Sequence, residues 1–196
     1  MNPQDEIRAY YEDETMLPFL TRFVGLFAKP PRILEMGCGA GYDAMRLRRL
    51  GAEVVGVDLS ARSIAIARER NPDIPFHVLD FRSLPAGLGA FDGIVACASL
   101  IHLPGEALPD VFARMRQTLR KGGYALVVFL EGNGFSERRS LREHNGKQYN
   151  RHVYLHEKTA LAGAAARAGL ELWAEWFEEP APEGKLVWTH LVLRAV

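Results

Sequence analysis

Short, solid runs of apolar residues alternate with amphipathic stretches of helical period through residues 32–130. The pattern predicts a strand over 32–36, then a helix over 41–50 closed by Gly51. "AEVVGVDLS" (52–60) predicts a second strand, and "ARSIAIARERN" (61–71) a helix ending near Asn71-Pro72. "FHVLD" (76–80) and "FDGIVACAS" (91–99) read as the third and fourth strands. A helix around 106–120 stops at Lys121-Gly122-Gly123, and "YALVVFL" (124–130) is a fifth strand. Runs such as "VVGV" and "ALVVFL" suit strands buried on both sides. Strand–helix–strand alternation builds a parallel sheet with helices on both faces, so the expected class is doubly wound α/β.

The last third breaks the rhythm. "EKTALAGAAARAG" predicts a helix with small residues on one face, followed by two strands, "LELWAEWFEE" and "KLVWTHLVLRAV". Their short Pro/Gly link, "PAPEG", implies an antiparallel hairpin at the sheet edge. The polar segment from Glu131 to His156 is long for a connection and is expected to be a cap loop over the strand ends. Ahead of the first strand, Asp5–Ala28 reads as two helical pieces broken at Pro18, carrying Ile7, Tyr10, Tyr11, Phe19, Phe23 and Phe27. These pieces either pack on the sheet rim or form a lid. The expected organisation is one domain: N-terminal helices over 1–30, a core over 31–130, the cap loop over 131–156, and a terminal helix with edge hairpin over 157–196.

Composition narrows the classes. A chain of 196 residues supports one domain with a full core. Lys+Arg and Asp+Glu both number 24, so net charge gives no warrant for a nucleic-acid partner. Cys38 and Cys97 form no CxxC pair, which argues against a disulfide framework or a zinc site, and no metal is expected. The N-terminus is acidic, the wrong charge for a signal peptide. "MLPFLTRFVGLFA" carries Pro18 and Arg22 and falls short of the ~20 apolar residues of a membrane span. The expectation is a reduced, cytoplasmic, soluble protein without membrane contact.

The chemistry concentrates in "ILEMGCGAGYDA", Ile33 to Ala44. Gly37, Gly39 and Gly41 crowd the turn at the carboxyl end of the first strand, where open α/β sheets bind ligands. The third glycine comes one residue early for the dinucleotide fingerprint, and Tyr42 takes the fingerprint's last place. Glu35, beside the turn, repels pyrophosphate and suits a cationic ligand. Asp58 ends the second strand, where an acid accepts hydrogen bonds from ribose hydroxyls. Asp80-Phe81 ends the third, where the acid accepts from an adenine amino group and the ring flanks the base. The three acids describe a groove for a ribosyl-adenine without phosphate. Other readings exist for each: the glycines as packing, Asp58 as a helix cap (a role Ser60 fills better), Asp80 as a turn cap.

These residues resemble class I S-adenosylmethionine-dependent methyltransferases. The likeness runs through "ILEMGCGAG", "VVGVDLS", "FHVLDF", "FDGIVACASLIHLP" and "LRKGGYALVVF", in family order. It implies a Rossmann-like sheet of seven strands, order 3-2-1-4-5-7-6 with strand 7 antiparallel, and S-adenosylmethionine as cofactor, with S-adenosylhomocysteine as its product. It further implies that Tyr10, Leu59, Ala96 and Cys97 join Glu35, the three glycines, Asp58, Asp80 and Phe81 around the cofactor. The N-terminal "YY", "GYDA" and the compact domain look like small-molecule methyltransferases, and "GCGAGYDA" looks like the enzymes that methylate thiols, halides or chalcogen oxyanions, so the expected acceptor is an O, N or S of a small molecule. His102, in "SLIHLP", is either the base that deprotonates the acceptor or a loop histidine bonded to backbone. With Glu131, Tyr149, Arg151 and His152 it is expected to line the acceptor pocket. Cys38 and Cys97 otherwise read as small fillers, Trp173, Trp176 and Trp188 as packing, and Arg46, Arg48 and Arg49 as a solvated helix face. Neither a (D/N)PPY signature nor a Pro-Cys pair is present, which disfavours nucleic-acid modification. The competing classes are a nicotinamide-dependent oxidoreductase, a non-catalytic adenosylmethionine-binding module, and a methyltransferase acting on RNA or protein.

Overall fold

The computed structural model describes residues 14–85, 88–144, 147–177 and 187–196. Strand β1 (Arg32–Met36) leads into helix α2 (Tyr42–Arg49), after a first helix α1 (Leu17–Val24). Next come β2 (Glu53–Asp58), α3 (Ala61–Arg70), β3 (Phe76–Val78), β4 (Phe91–Cys97), α4 (Leu108–Thr118) and β5 (Leu119–Leu130). The chain continues through β6 (Gly134–His144), β7 (Lys147–Leu155), α5 (Lys158–Arg167), β8 (Leu170–Phe177) and β9 (Trp188–Ala195).

Seven strands form one sheet in the order β3-β2-β1-β4-β5-β9-β8. β1 to β5 pair in parallel, and β9 runs antiparallel to both β5 and β8. With β6 and β7 left out of the count this is the expected order 3-2-1-4-5-7-6. The fold forms because the strands are apolar on both faces. On one side Leu34, Val55, Ile94, Val127 and Leu193 pack with Phe112 and Met115 of α4 and Leu161 of α5. On the other, Ile33, Val54, Val95, Leu126 and Val192 pack with Phe19 and Phe23 of α1, Leu47 of α2 and Ile64 of α3. Burial of such side chains stabilises the fold by ~1.5–3 kcal/mol each before entropy is counted.

Three expectations change. The helix expected to stop at Lys121-Gly122-Gly123 ends at Thr118, and those residues lie within β5, which already pairs Leu119 with Phe91 before a shift in register. The helix break at Pro18 is a helix start: Pro18 stands in the first turn of α1, where its missing N–H costs nothing. The first helical piece, with Tyr10 and Tyr11, lies outside the described residues. Where a cap loop was expected over 131–156, the chain forms an antiparallel pair, β6 with β7, broken by a bulge between Ser140 and Glu143. Its root is built into the domain: Val153 is buried, and His156 accepts from Gly132 and donates to Leu130 through its backbone. No described helix is long and apolar enough to cross a membrane.

Candidate functional site

The loop from β1 to α2 is folded against the end of β2. Gly37 and Cys38 both donate their amides to the Val57 carbonyl, at 2.8 and 3.0 Å. Gly37, Gly39 and Gly41 all have positive φ, so side chains would strain each turn. Packing separates their roles. A Cβ on Gly41 would meet Phe76 at 2.9 Å and Ala67 and Asn71 at 3.1 Å, so this glycine sets helix against sheet. A Cβ on Gly39 would meet nothing within 4 Å. Gly39 therefore faces open space at the loop crest, as a ligand cradle requires.

Asp58 ties the loop down. Its Oδ2 accepts from the Gly39 amide at 2.8 Å and its Oδ1 from the Ser60 amide at 2.8 Å. The side chain of Ser60 caps α3 by accepting from Ser63. Asp58 thus does more than end a strand: it joins the glycine loop to the start of the next helix. Each oxygen keeps a second lone pair for a ligand donor. Leu59, next in sequence, is 68% exposed, an apolar surface beside the carboxylate.

Glu35 lies under the loop, 4% exposed, and its Oε2 has no hydrogen-bond partner among the described residues. Burial pushes its carboxyl well above the usual range. Repulsion from Asp43 and Asp58 adds to this, while a hydrogen bond from the Ala44 amide and the charge of Arg46 oppose it. Arg46 is buried too and pairs with Asp43 at 2.8 Å, which corrects its reading as a solvated residue. Three acids and one arginine beneath a glycine turn leave an excess of negative charge. A cation placed at Glu35 relieves it.

β4 ends beside this cluster. Ala96 is fully buried; Cys97 is partly exposed. Burial, then the charges of Asp43 and Glu35, raise the Cys97 thiol well above its ordinary range, and the thiol bonds Asp43. Cys38 is raised in the same way by burial and by Glu35. Both are protonated thiols, in keeping with a filler role and against nucleophilic use. Past β4, Ala98 has φ 49° and Ser99 is buried, then a turn over Leu100–His102 places His102 at the surface.

Asp80 is less available than expected. Its oxygens accept from the Arg82 amide and from Arg82 Nε, all at 2.9 Å, and Arg82 Nη2 closes an ion pair. These bonds to Arg82 hold its carboxyl below the usual range despite some burial. An adenine amino group there must share the carboxylate with Arg82. Phe81 is half-buried, packed on the core.

On the far side of β4, Glu131 follows β5 and bridges to His156, and its Oε2 accepts from the Thr189 hydroxyl at 2.7 Å. Tyr149, Arg151 and His152 are on β7, opposite Ser140, Arg138 and Glu137 in register. His156, which sequence reasoning missed, is buried, and its Nε2 lies 3.1 Å from the Leu100 carbonyl. Burial lowers its pKa, against the pull of that carbonyl, so the neutral ring donates from Nε2. The root of the hairpin is thereby fastened to the turn carrying His102. Asp43 and Ser99 were also missed; the start of α2 carries Asp43 to the site, and the turn after β4 carries Ser99. Among the described residues no cluster of His, Cys, Asp and Glu is arranged to hold a metal.

Comparison with known proteins places the chain in a family and a fold. The chain belongs to a methyltransferase domain family, whose model matches residues 8–175. Over 103 residues it is 40% identical to magnesium-protoporphyrin O-methyltransferase of Rhodobacter capsulatus, covering 50% of this chain and 43% of that protein. Over 123 residues it is 31% identical to a ubiquinone biosynthesis O-methyltransferase of Chromobacterium violaceum, covering 60% of this chain and 51% of that protein. The matched region thus spans about half the length of these relatives. Among solved structures, magnesium protoporphyrin IX methyltransferase from Synechocystis PCC 6803, with bound SAM, superposes with a TM-score of 0.71. It is 16% identical, over 98% of this chain and 83% of that one. A Burkholderia thailandensis 1,6-didemethyltoxoflavin-N1-methyltransferase gives 0.72 at 21% identity, over 97% and 83%.

Proposed function

We propose that this protein transfers the methyl group of S-adenosylmethionine to an oxygen, nitrogen or sulfur of a small molecule. The observation that carries the reading is the buried, half-unpartnered carboxylate of Glu35 under a glycine loop that Asp58 holds in place. That donor set fits this cofactor and not a dinucleotide. An unpaired acid calls for a cation, and Asp58 keeps lone pairs for two ribose hydroxyls. Leu59 and Phe81 offer apolar surface to the base, Asp80 an acceptor shared with Arg82, and Ala96 with Cys97 the floor. Tyr10, which lies outside the described residues, keeps its expected place among the cofactor-binding residues. Bound there, the cofactor supplies a methyl group already activated by its sulfonium. The chain's own task is then alignment and water exclusion, and proximity can supply ~7–11 kcal/mol of barrier reduction.

The acceptor approaches between the end of β4 and the hairpin, among His102, Glu131, Tyr149, Arg151 and His152. His102 takes the acceptor's proton where one must leave. The two relatives named by sequence similarity are O-methyltransferases, which favours an oxygen acceptor, while the toxoflavin neighbour keeps nitrogen in the panel. The test is formation of S-adenosylhomocysteine from S-adenosylmethionine with a panel of phenols, carboxylic acids, amines and thiols, against an acceptor-free control. Turnover on at least one member is expected. Cofactor binding with no turnover on any, nor on RNA or protein, would make the chain a binding module.

A further inference from the structure

Two buried side-chain atoms at the ends of neighbouring strands β1 and β4, Glu35 Oε2 and Ser99 Oγ, have no hydrogen-bond partner among the described residues. Glu35 comes two residues before Gly37, and Ser99 packs on Gly37 from the end of β4. A Cβ built on Gly37 would lie 2.5 Å from Ser99 Cβ and 3.5 Å from its Oγ. The ordinary employment of this serine is ruled out by the geometry. Ser99 holds the N-cap position of the turn over Leu100–His102, yet its side chain makes no capping bond. Serine is among the best capping residues, so an unused hydroxyl there, 5% exposed, needs another partner. The preceding residue, Ala98, has φ 49°, a left-handed backbone that a residue with a Cβ adopts only at a cost. Strain of this kind is held in place by its surroundings, and here it fixes where Ser99 stands.

An ionised carboxylate only accepts, whereas a hydroxyl can donate. Two such groups, dry and set on strand ends that meet at Gly37, complement a ligand end that carries both an ammonium and a carboxylate. We propose that Ser99 binds the cofactor, its hydroxyl donating to the α-carboxylate of the amino-acid end while Glu35 receives the α-ammonium. This rests on S-adenosylmethionine being the cofactor. Holding both charges of that end fixes the sulfonium beside β4, and the turn that carries His102 begins at the same residue.

The test is calorimetric titration of the full chain and of Ser99→Ala with three probes: S-adenosylhomocysteine, decarboxylated S-adenosylmethionine and 5′-methylthioadenosine. The second lacks the carboxylate, and the third lacks the whole amino-acid end. A hydrogen bond to a charged group sets the expected loss at about 10- to 100-fold for S-adenosylhomocysteine. The other two probes should change by less than about 2-fold. Equal loss for all three, or no loss for S-adenosylhomocysteine, would overturn the assignment. If Ser99→Ala does not fold, Ser99→Cys, a close isostere with a weak donor, carries the same comparison and is judged by the same pattern. A folded wild-type chain that binds none of the three probes would overturn the cofactor reading itself, and with it this inference. Wild-type binding with an indifferent Ser99 overturns the inference alone.

Discussion

Glu35→Gln should move stability and cofactor affinity in opposite directions. The wild-type carboxylate is buried with one oxygen unpartnered, and burial together with Asp43 and Asp58 raises its pKa above the ordinary 4.5. For such an acid the unfolded chain loses its proton first as pH rises. The folded state is therefore penalised from about pH 4.5 upward until the folded pKa is passed. Glutamine removes the penalty, and an unpaired buried polar group is worth ~1–3 kcal/mol. The ligand-free variant should thus be the more stable at pH 7, with the two proteins converging as pH falls below the ordinary glutamate value. Binding should show the reverse. Removing one charge of a buried pair costs ~2–5 kcal/mol, and glutamine keeps a polar acceptor, so a loss of about 2 kcal/mol, roughly 30-fold, is expected. Pairing with a cation also ionises Glu35, so S-adenosylhomocysteine should release protons on binding in the window above pH 4.5 where the raised carboxyl still holds its proton. Calorimetry in two buffers of different ionisation enthalpy measures that release, and denaturant titration measures stability. A variant that binds as tightly as wild type, or releases the same number of protons, would refute the placement of a cation at Glu35.

Asp58→Ala should weaken S-adenosylhomocysteine by ~1.5–3 kcal/mol and also lower chain stability, because Asp58 anchors the Gly39 and Ser60 amides. Unchanged affinity in calorimetry would leave Asp58 as a loop anchor alone. Gly39→Ala and Gly41→Ala should part company. The first should lose most cofactor binding for ~1–2 kcal/mol of backbone strain, since its Cβ enters open space. The second should lose more stability, because its Cβ strikes Phe76 and Ala67. Thermal melts beside titrations separate the two. His102→Ala should lower kcat ~10²–10⁴-fold with cofactor affinity nearly unchanged if the histidine is the base. A rise in acceptor KM alone would make it a pocket wall.

Much of this was legible in the sequence because the strands of a doubly wound sheet are short and apolar on both faces. β1 falls on the expected 32–36, and β2 and β4 end within two residues of the expected acids and cysteine. The glycine turn was legible for the same reason: little else explains three glycines after a buried strand. What stayed hidden depended on chain path. The bond from Gly39 to Asp58 spans 19 residues, and nothing in either segment announces it. Arg46 looked solvated because α2 carries three arginines, yet only Arg46 stands one turn from Asp43 on the inward side. The β6–β7 pair reads as a loop in the sequence because its residues are polar, although Asn145-Gly146, a favoured hairpin dipeptide, stands between its two strands in the sequence. Ser99 and His156 carried no signal, since a serine after a strand and a histidine before a helix are commonplace. Only their burial gave them away.

The central claim is that the groove over β1 and β2 takes S-adenosylmethionine rather than a dinucleotide, and calorimetric titration with S-adenosylhomocysteine and with NAD tests it most directly. The account predicts saturable one-to-one binding of S-adenosylhomocysteine and none of NAD, with 5′-methylthioadenosine binding more weakly because it leaves Glu35 unpaired. Tighter binding of NAD than of S-adenosylhomocysteine would contradict it.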